Sequence, residues 1–347
     1  MQYRKLGKSN LDVSLICLGT MTFGKQNTQA EAFEQMDYAL DAGVNFFDTA
    51  ELYAIPPAPE TYGKTETIIG NWFAARKNRD KVILASKAAG PGPTWIRRGN
   101  NRLDRKNLTQ AIEDSLQRLQ TDYIDLYQLH WPNRPNFFFG RHWSYTPEGV
   151  DTAQEIENFI EVLETLDEMI RAGKIRHFGL SNESAWGVMN YLKLSETRKL
   201  PRPVSIQNEY NLLNRHFDLD LAEIAMREEV GLLAWSPLAT GMLTGKYLDN
   251  AIPAGSRWSL PQKHNYRNKK RAHRAVAAYL KVAQKHGLDP AQMALAFVNS
   301  RSFLSSNIIG ATNMEQLKSN MGSIKIALNK EALIDLESVR QDYPIVY

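Results

Sequence analysis

Cysteine is almost missing from this chain: Cys17 is the single one in 347 residues. An intrachain disulfide and any multi-cysteine metal site are thereby excluded. No apolar run approaches the roughly 18 residues of a membrane span. The opening Met1-Gln2-Tyr3-Arg4-Lys5 leads into no apolar signal core, so we expect a soluble, cytoplasmic protein with no membrane partner. Charge of one sign is scarce too. Forty-two Lys and Arg face 38 Asp and Glu, a formal net charge of +4. That excess is too small to imply nucleic-acid binding. H-E-x-x-H, G-x-S-x-G and Walker A patterns do not occur, and no metal site is expected. G-x-G-x-x-G, the phosphate-turn fingerprint of doubly wound dinucleotide folds, is missing as well.

What is present is ordinary globular composition, 43% hydrophobic and 23% charged. The length suits either two domains or one large barrel. Short runs rich in Val, Ile, Leu and Phe recur at Leu15–Leu18, Val44–Phe47, Val82–Ala85, Ile124–Leu129, Ile175–Leu180, Val204–Gln207, Leu232–Trp235 and Asn307–Ile309. Most lack strict alternation, as strands of a parallel sheet buried on both faces do. Segments with apolar residues at helical spacing lie between them: 31–42, 66–76, 107–119, 155–172, 185–194, 218–229 and 314–324. Asp289-Pro290 reads as a further helix start. Gly43, Gly173 and Gly231 read as helix-ending glycines. Eight strands alternating with helices predict an α/β fold, a (β/α)8 TIM barrel, over a doubly wound sheet that lacks its fingerprint. We read one domain over 1–347. An N-terminal β-hairpin, Tyr3–Ser14 around Gly7-Lys8-Ser9-Asn10, would cap the barrel floor.

Three long loops follow strands: 88–106, 132–153 and 240–268. In a barrel they lie over the C-terminal face, where active sites sit. The second carries Phe137, Phe138, Phe139, Trp143 and Tyr145, either lining an apolar pocket or anchoring the loop by packing.

Three successive strands end in charged or titratable residues. They run into Asp48, Lys87 and His130, with Tyr53 just past the first. Each alone has a structural reading, because charged residues mark where a buried strand surfaces. Together they make a consistent chemistry. An ammonium beside Tyr53 would lower the phenol pKa. A carboxylate on Lys87 would keep that ammonium charged and fixed. A neutral His130 would aim a carbonyl oxygen at the phenol. The set would protonate a carbonyl oxygen, and no side chain is an evident nucleophile for its carbon. A hydride-donating cofactor would fill that gap.

The stretch Asn45-Phe46-Phe47-Asp48-Thr49-Ala50-Glu51-Leu52-Tyr53, the Leu84-Ala85-Ser86-Lys87 strand end and Leu129-His130-Trp131-Pro132 resemble the signatures of the aldo-keto reductase superfamily. Leu18-Gly19-Thr20-Met21, Gly173-Lys174-Ile175-Arg176, Gly179-Leu180-Ser181-Asn182, Gln207-Asn208 and Trp235-Ser236-Pro237-Leu238 extend the likeness over nearly the whole chain. Within the superfamily the chain resembles the bacterial Tas-like reductases and the related voltage-gated potassium channel β subunits.

The resemblance implies a (β/α)8 barrel, NADP(H) as cofactor and a small-molecule carbonyl substrate. It puts the tetrad on Asp48, Tyr53, Lys87 and His130. It implies that Ser181, Asn182 and Gln207 hold the nicotinamide carboxamide, with Trp235 stacked on the ring. Ser236, Pro237, Leu238, Gly241 and Lys246 would follow the pyrophosphate. Thr312, Gln316 and Asn320 would surround the adenosine end, with Thr20 and Met21 near a ribose. Ser319 replaces the Glu that relatives often carry beside the Asn. Arg257, with one extra residue of spacing from Lys246, is the residue placed to clamp a 2′-phosphate.

The channel subunits supply an alternative to the enzyme: an NADPH-binding redox sensor with vestigial catalysis. A hydrolase on the same barrel is a third reading. The expected state is a monomer or weak homo-oligomer. The basic run Lys263, Arg267, Lys269, Lys270, Arg271 and Arg274 reads as the solvated start of a surface helix, or as an attractor for the anionic cofactor. Cys17, in an apolar strand, reads as inert core.

Overall fold

The computed structural model describes residues 1–261 and 265–347. Two antiparallel strands, β1 (Tyr3–Lys5) and β2 (Asp12–Ser14), form the expected hairpin. Eight parallel strands then close into a barrel: β3 (Ile16–Gly19), β4 (Phe46–Asp48), β5 (Ile83–Ala88), β6 (Ile124–Leu129), β7 (Ile175–Ser181), β8 (Ser205–Glu209), β9 (Gly231–Trp235) and β10 (Leu304–Ile309). They pair in chain order and β10 closes on β3. The helices covering them are α1 (Gln29–Asp41), α2 (Lys64–Arg76), α3 (Arg105–Leu119), α4 (Thr152–Arg171), α5 (Ala185–Arg198), α6 (Asp220–Arg227), α7 (Lys270–Lys285), α8 (Pro290–Asn299) and α9 (Met314–Gly322). A last helix, α10 (Lys330–Asp342), packs on α7. The (β/α)8 expectation holds. Among the described residues no helix is long and apolar enough to cross a membrane, and no three His, Cys, Asp or Glu side chains gather as metal ligands.

The barrel interior is layered. Cys17, Phe46, Ala85, Leu126, Leu233 and Ile308 form a buried apolar layer, closed from below by Leu6, Leu11 and Val13 of the hairpin segment. Side chains alternate along a strand, so two residues further on the same strands present Asp48, Lys87, Gln128 and Trp235. A polar layer thus rests on an apolar floor. The hairpin docks tightly. Gly7 has φ +50, and a Cβ there would lie 2.0 Å from the Val204 carbonyl oxygen and 2.4 Å from that of Glu229. Gly7→Ala should therefore cost at least about 2 kcal/mol, from left-handed backbone strain plus overpacking. A lowered urea midpoint with an unchanged far-UV spectrum is the expected measurement. An unchanged midpoint would mean that the hairpin can shift without loss.

Some boundaries differ from the sequence reading. Asp289 caps α8 through its carboxylate and Pro290 is the first helical residue, as expected. Gly43 and Gly173 adopt φ +87 and +74. Gly231 does not end a helix. It begins β9, and the left-handed residue after α6 is Glu229 at φ +51. Gly231 is small for another reason: a Cβ would lie 1.9 Å from Ser305 Oγ. β10 starts at Leu304, three residues before the expected Asn307. Ser305 and Ser306 interrupt the apolar run, yet their hydroxyls donate to the carbonyls of Lys5 and Ser14 and so tie this strand to the hairpin. The predicted helix over 218–229 is shorter, because a 3-10 turn occupies His216–Asp218.

Candidate active site

The three strand-end residues and Tyr53 meet on the C-terminal face. Lys87 is fully buried, and its Nζ donates to Asp48 Oδ2 at 2.7 Å, to the Thr49 carbonyl at 2.8 Å and to the Tyr53 hydroxyl at 3.2 Å. The His130 ring stands edge-on to Tyr53 with centroids 5.8 Å apart. Its Nδ1 is enclosed without a hydrogen-bond partner. Burial alone would pull the Lys87 ammonium down, but Asp48 and Tyr53 hold it above its ordinary value. Burial and the nearby Lys87 push His130 well below its usual range, so the imidazole is neutral near pH 7.

Tyr53 departs from expectation. Burial raises its phenol above 10, and Lys87 only partly offsets this because Asp48 opposes it. The anticipated lowering by Lys87 loses to desolvation. The hydroxyl is held protonated.

Gln128 is part of the site and escaped the sequence reading. Its Nε2 donates to Asp48 Oδ1 at 3.1 Å, and Gln207 Nε2 donates to the same oxygen at 2.8 Å. Gln207 also donates to Gln128 Oε1. Gln207 is linked in turn to Ser181, whose hydroxyl donates to the Gln207 carbonyl at 2.8 Å. Asn182, at φ +51, donates to the His130 carbonyl and to Ser181 Oγ and accepts from Trp235 Nε1. Ser181, Asn182, Gln207 and Trp235 therefore form one hydrogen-bonded patch beside the four residues.

After β9 the backbone takes left-handed values at Ser236, Ala239, Thr240, Gly241 and Gly245. The turn is closed internally: Ala239 N donates to the Ser236 carbonyl and Gly241 N to that of Leu238. Lys246 lies against it: a Cβ on Gly241 would sit 2.7 Å from Lys246 Cε. The same loop then crosses the barrel mouth. Gly255 accepts from Gln26, and Arg257 donates to the Ile55 carbonyl at 2.9 Å. Ile55 N in turn donates to the Met21 carbonyl, and Thr20 is tied to the Asp48 carbonyl. Thr312, Gln316 and Asn320 stand at the junction of β10 and α9; Thr312 donates to Gln316, and Asn320 to the Gly310 carbonyl.

Residues 15–341 match the model of the Aldo/keto reductase family. The chain belongs to this family. It is 50% identical to "Protein tas" of Escherichia coli over 99% of both chains. It is 34% identical to the "Uncharacterized oxidoreductase YrpG" of Bacillus subtilis, over 98% of this chain and 96% of that one. A "Probable voltage-gated potassium channel subunit beta" of Arabidopsis thaliana is 32% identical over 99% of this chain and 98% of its own. Aldo/keto reductase membership makes the chain an oxidoreductase.

The rest of this family member's site was hidden from sequence by distance. Glu51, between Asp48 and Tyr53 in sequence, is fully buried. It accepts from Ala89 N, from the Tyr62 hydroxyl and from both terminal nitrogens of Arg97, pinning the loops after β4 and β5 together. Arg267, read as part of a solvated basic run, is instead buried on Glu209 at 2.8 Å. Lys263 lies outside the described residues, and Lys269, Lys270, Arg271 and Arg274 are exposed as expected. In the aromatic loop, expected either to line an apolar pocket or to anchor itself by packing, the rings pack. Phe137 and Phe138 stack on each other. Phe139 reaches the site, 6.1 Å from the Trp235 ring and 6.5 Å from Trp131.

Proposed function

We propose that this family member reduces aldehydes or ketones to alcohols with NADPH, reversibly. The observation that carries this reading is the Asp48–Lys87–Tyr53 chain of contacts, closed by a neutral His130. The polar patch beside the four residues suits the cofactor. Amide and hydroxyl groups of Ser181, Asn182 and Gln207 would meet the carboxamide, and Trp235 the nicotinamide ring. The turn at 236–241 with Lys246 would lie along the pyrophosphate. Thr20 and Met21 would lie by a ribose, and Thr312, Gln316 and Asn320 by the adenosine. Bound there, the nicotinamide supplies the hydride. The chain's own residues handle the proton: Tyr53 donates it to the carbonyl oxygen, His130 orients that oxygen, and Lys87 with Asp48 stabilises the phenolate left behind.

Single-turnover oxidation of NADPH by an aromatic aldehyde tests the proposal. Cofactor binding without turnover across a panel of aldehydes and ketones would favour a cofactor-sensing subunit, a reading suggested by the channel-subunit name of one relative.

Arg257 is assigned to the 2′-phosphate. Burial and the neighbouring Arg267 pull its guanidinium down to about 10. Arg257→Ala should weaken NADPH binding by about ten- to a hundredfold, the value of a charge-assisted hydrogen bond. NADH binding should change far less. Equal losses for both nucleotides in a fluorescence titration would remove Arg257 from this role.

A further inference from the structure

Gln128 belongs to the polar layer and is wholly enclosed. It lies on β6, level with Lys87 on β5. Strand alternation turns its amide into the barrel, above the apolar layer that holds Leu126. There it bonds in two directions. Its Nε2 donates to Asp48 Oδ1 at 3.1 Å, and its Oε1 accepts from Gln207 Nε2 at 3.0 Å.

The groups around this amide have no spare capacity. An ammonium has three protons. Those of Lys87 go to Asp48 Oδ2, to the Thr49 carbonyl and to the Tyr53 oxygen. Tyr53 therefore accepts from Lys87, and its own proton is free to be given elsewhere. This arrangement depends on how the Asp48 carboxylate is turned: Oδ2 holds the ammonium, and Oδ1 holds the two amides. Both Nε2 protons of Gln207 are committed, one to Asp48 Oδ1 and one to Gln128 Oε1. Without Gln128, Gln207 would be the one amide left on Oδ1, with a buried proton lacking an acceptor. Such a group is costly to leave unmatched, and turning to satisfy it draws Gln207 off Asp48.

We propose that Gln128 is a positioning residue for proton transfer: by tying Asp48 to Gln207 it keeps the carboxylate turned with Oδ2 on Lys87, and so keeps Lys87 on Tyr53. It touches none of the reacting atoms. Its catalytic sense rests on the carbonyl-reductase reading, while its hold on Asp48 does not.

Two variants of the full-length protein, assayed with NADPH and an aromatic aldehyde, test this role. Gln128→Met keeps the side-chain length and removes both bonds. It should lower kcat about tenfold, with NADPH affinity and the aldehyde KM within about threefold of wild type. Gln128→Glu separates bonding from shape. A protonated carboxyl donates to Asp48 Oδ1 and accepts from Gln207, as the amide does. Ionised, it sets a second negative charge against Asp48, so burial and Asp48 raise its pKa from about 4.3 toward neutrality. The other titratable groups around the layer are Lys87, Tyr53, His130 and, beneath it, Cys17. Lys87, Tyr53 and Cys17 are held above their ordinary values and His130 below, so none of these titrates near pH 7. The kcat of Gln128→Glu should recover most of the loss at low pH and fall about tenfold as pH rises through the raised pKa. Wild type and Gln128→Met should stay flat over the same range.

Urea unfolding gives a readout without turnover. Between the two pKa values the folded state keeps a proton that the unfolded state gives up. Relative to Gln128→Met, the urea midpoint of Gln128→Glu should therefore fall from about pH 4.5 up to the raised pKa. The proposal is overturned by an unchanged kcat in Gln128→Met, by a flat profile in Gln128→Glu, or by a loss of NADPH affinity as large as the loss of kcat. Should wild type itself fail to turn over, the reductase reading falls. The stability slope then decides alone whether Gln128 bears on the Asp48 carboxylate, and its absence refutes that hold.

Discussion

Tyr53→Phe lowers kcat for aldehyde reduction by about two to four orders of magnitude, the range that a positioned general acid contributes. NADPH affinity should stay within about twofold, because the ring remains and only one side-chain hydrogen bond, 3.2 Å to Lys87, is lost. The expected size follows from the direction of the phenol's pKa. Burial holds the proton on Tyr53 at neutral pH against the pull of Lys87. Charge developing on the substrate oxygen then draws it off, and the ammonium stabilises the phenolate only at that stage. This is differential stabilisation of the transition state. The pH profile is part of the same expectation. His130 is depressed well below 6.5 and Tyr53 raised above 10. Neither titrates near neutrality, so kcat for reduction should be flat there. Steady-state kinetics beside a cofactor titration check both points. Turnover in the variant within threefold of wild type would move the proton donor elsewhere, with His130 the next group to replace.

The part of this site legible in the sequence is the part carried by local breaks in pattern. Asp48, Lys87 and His130 stand out because each ends an apolar run, and a barrel brings strand ends to one face. Gln128 gives no such signal. A single amide inside the run Ile124–Leu129 reads as tolerated polarity until strand register sets it opposite Lys87. Arg267 was misread for the complementary reason. Its neighbours in sequence are basic and solvated, while its partner Glu209 is 58 positions away. Gly231 shows the limit for backbone: a helix-ending glycine and a glycine crowded by Ser305 look identical in one dimension. The direction of the Tyr53 shift was hidden too, since it depends on how far burial outweighs one charge, and burial is a property of the folded barrel.

The polar layer also makes the site expensive to hold, and this sets the second large effect. Lys87 and Asp48 have side-chain exposures of 0% and 3%. Removing one charge of such a pair strands the other in a dry interior, at a cost of about 3–5 kcal/mol. Asp48→Asn should destabilise the fold by that much. It strands Lys87 and also deprives the Gln128 and Gln207 amides of their shared carboxylate oxygen. Lys87→Met should cost a comparable amount through the stranded carboxylate. The double variant Asp48→Asn/Lys87→Met buries no net charge. It should be more stable than the Asp48→Asn single, with a coupling of about 2–3 kcal/mol. The pH dependence has a definite sign. The folded-state pKa of Lys87 is raised, so its contribution is complete below the unfolded value of about 10.4 and fades only as pH climbs through the higher folded value. Stability near neutrality should therefore show no inflection from this pair. Urea unfolding of the four proteins decides the matter. Single-variant losses that add within about 0.5 kcal/mol would mean that the two charges are not coupled. Activity should be lost in all three variants whatever the stability result, because Tyr53 without Lys87 has no cation to receive its phenolate, and Lys87 without Asp48 has no anchor.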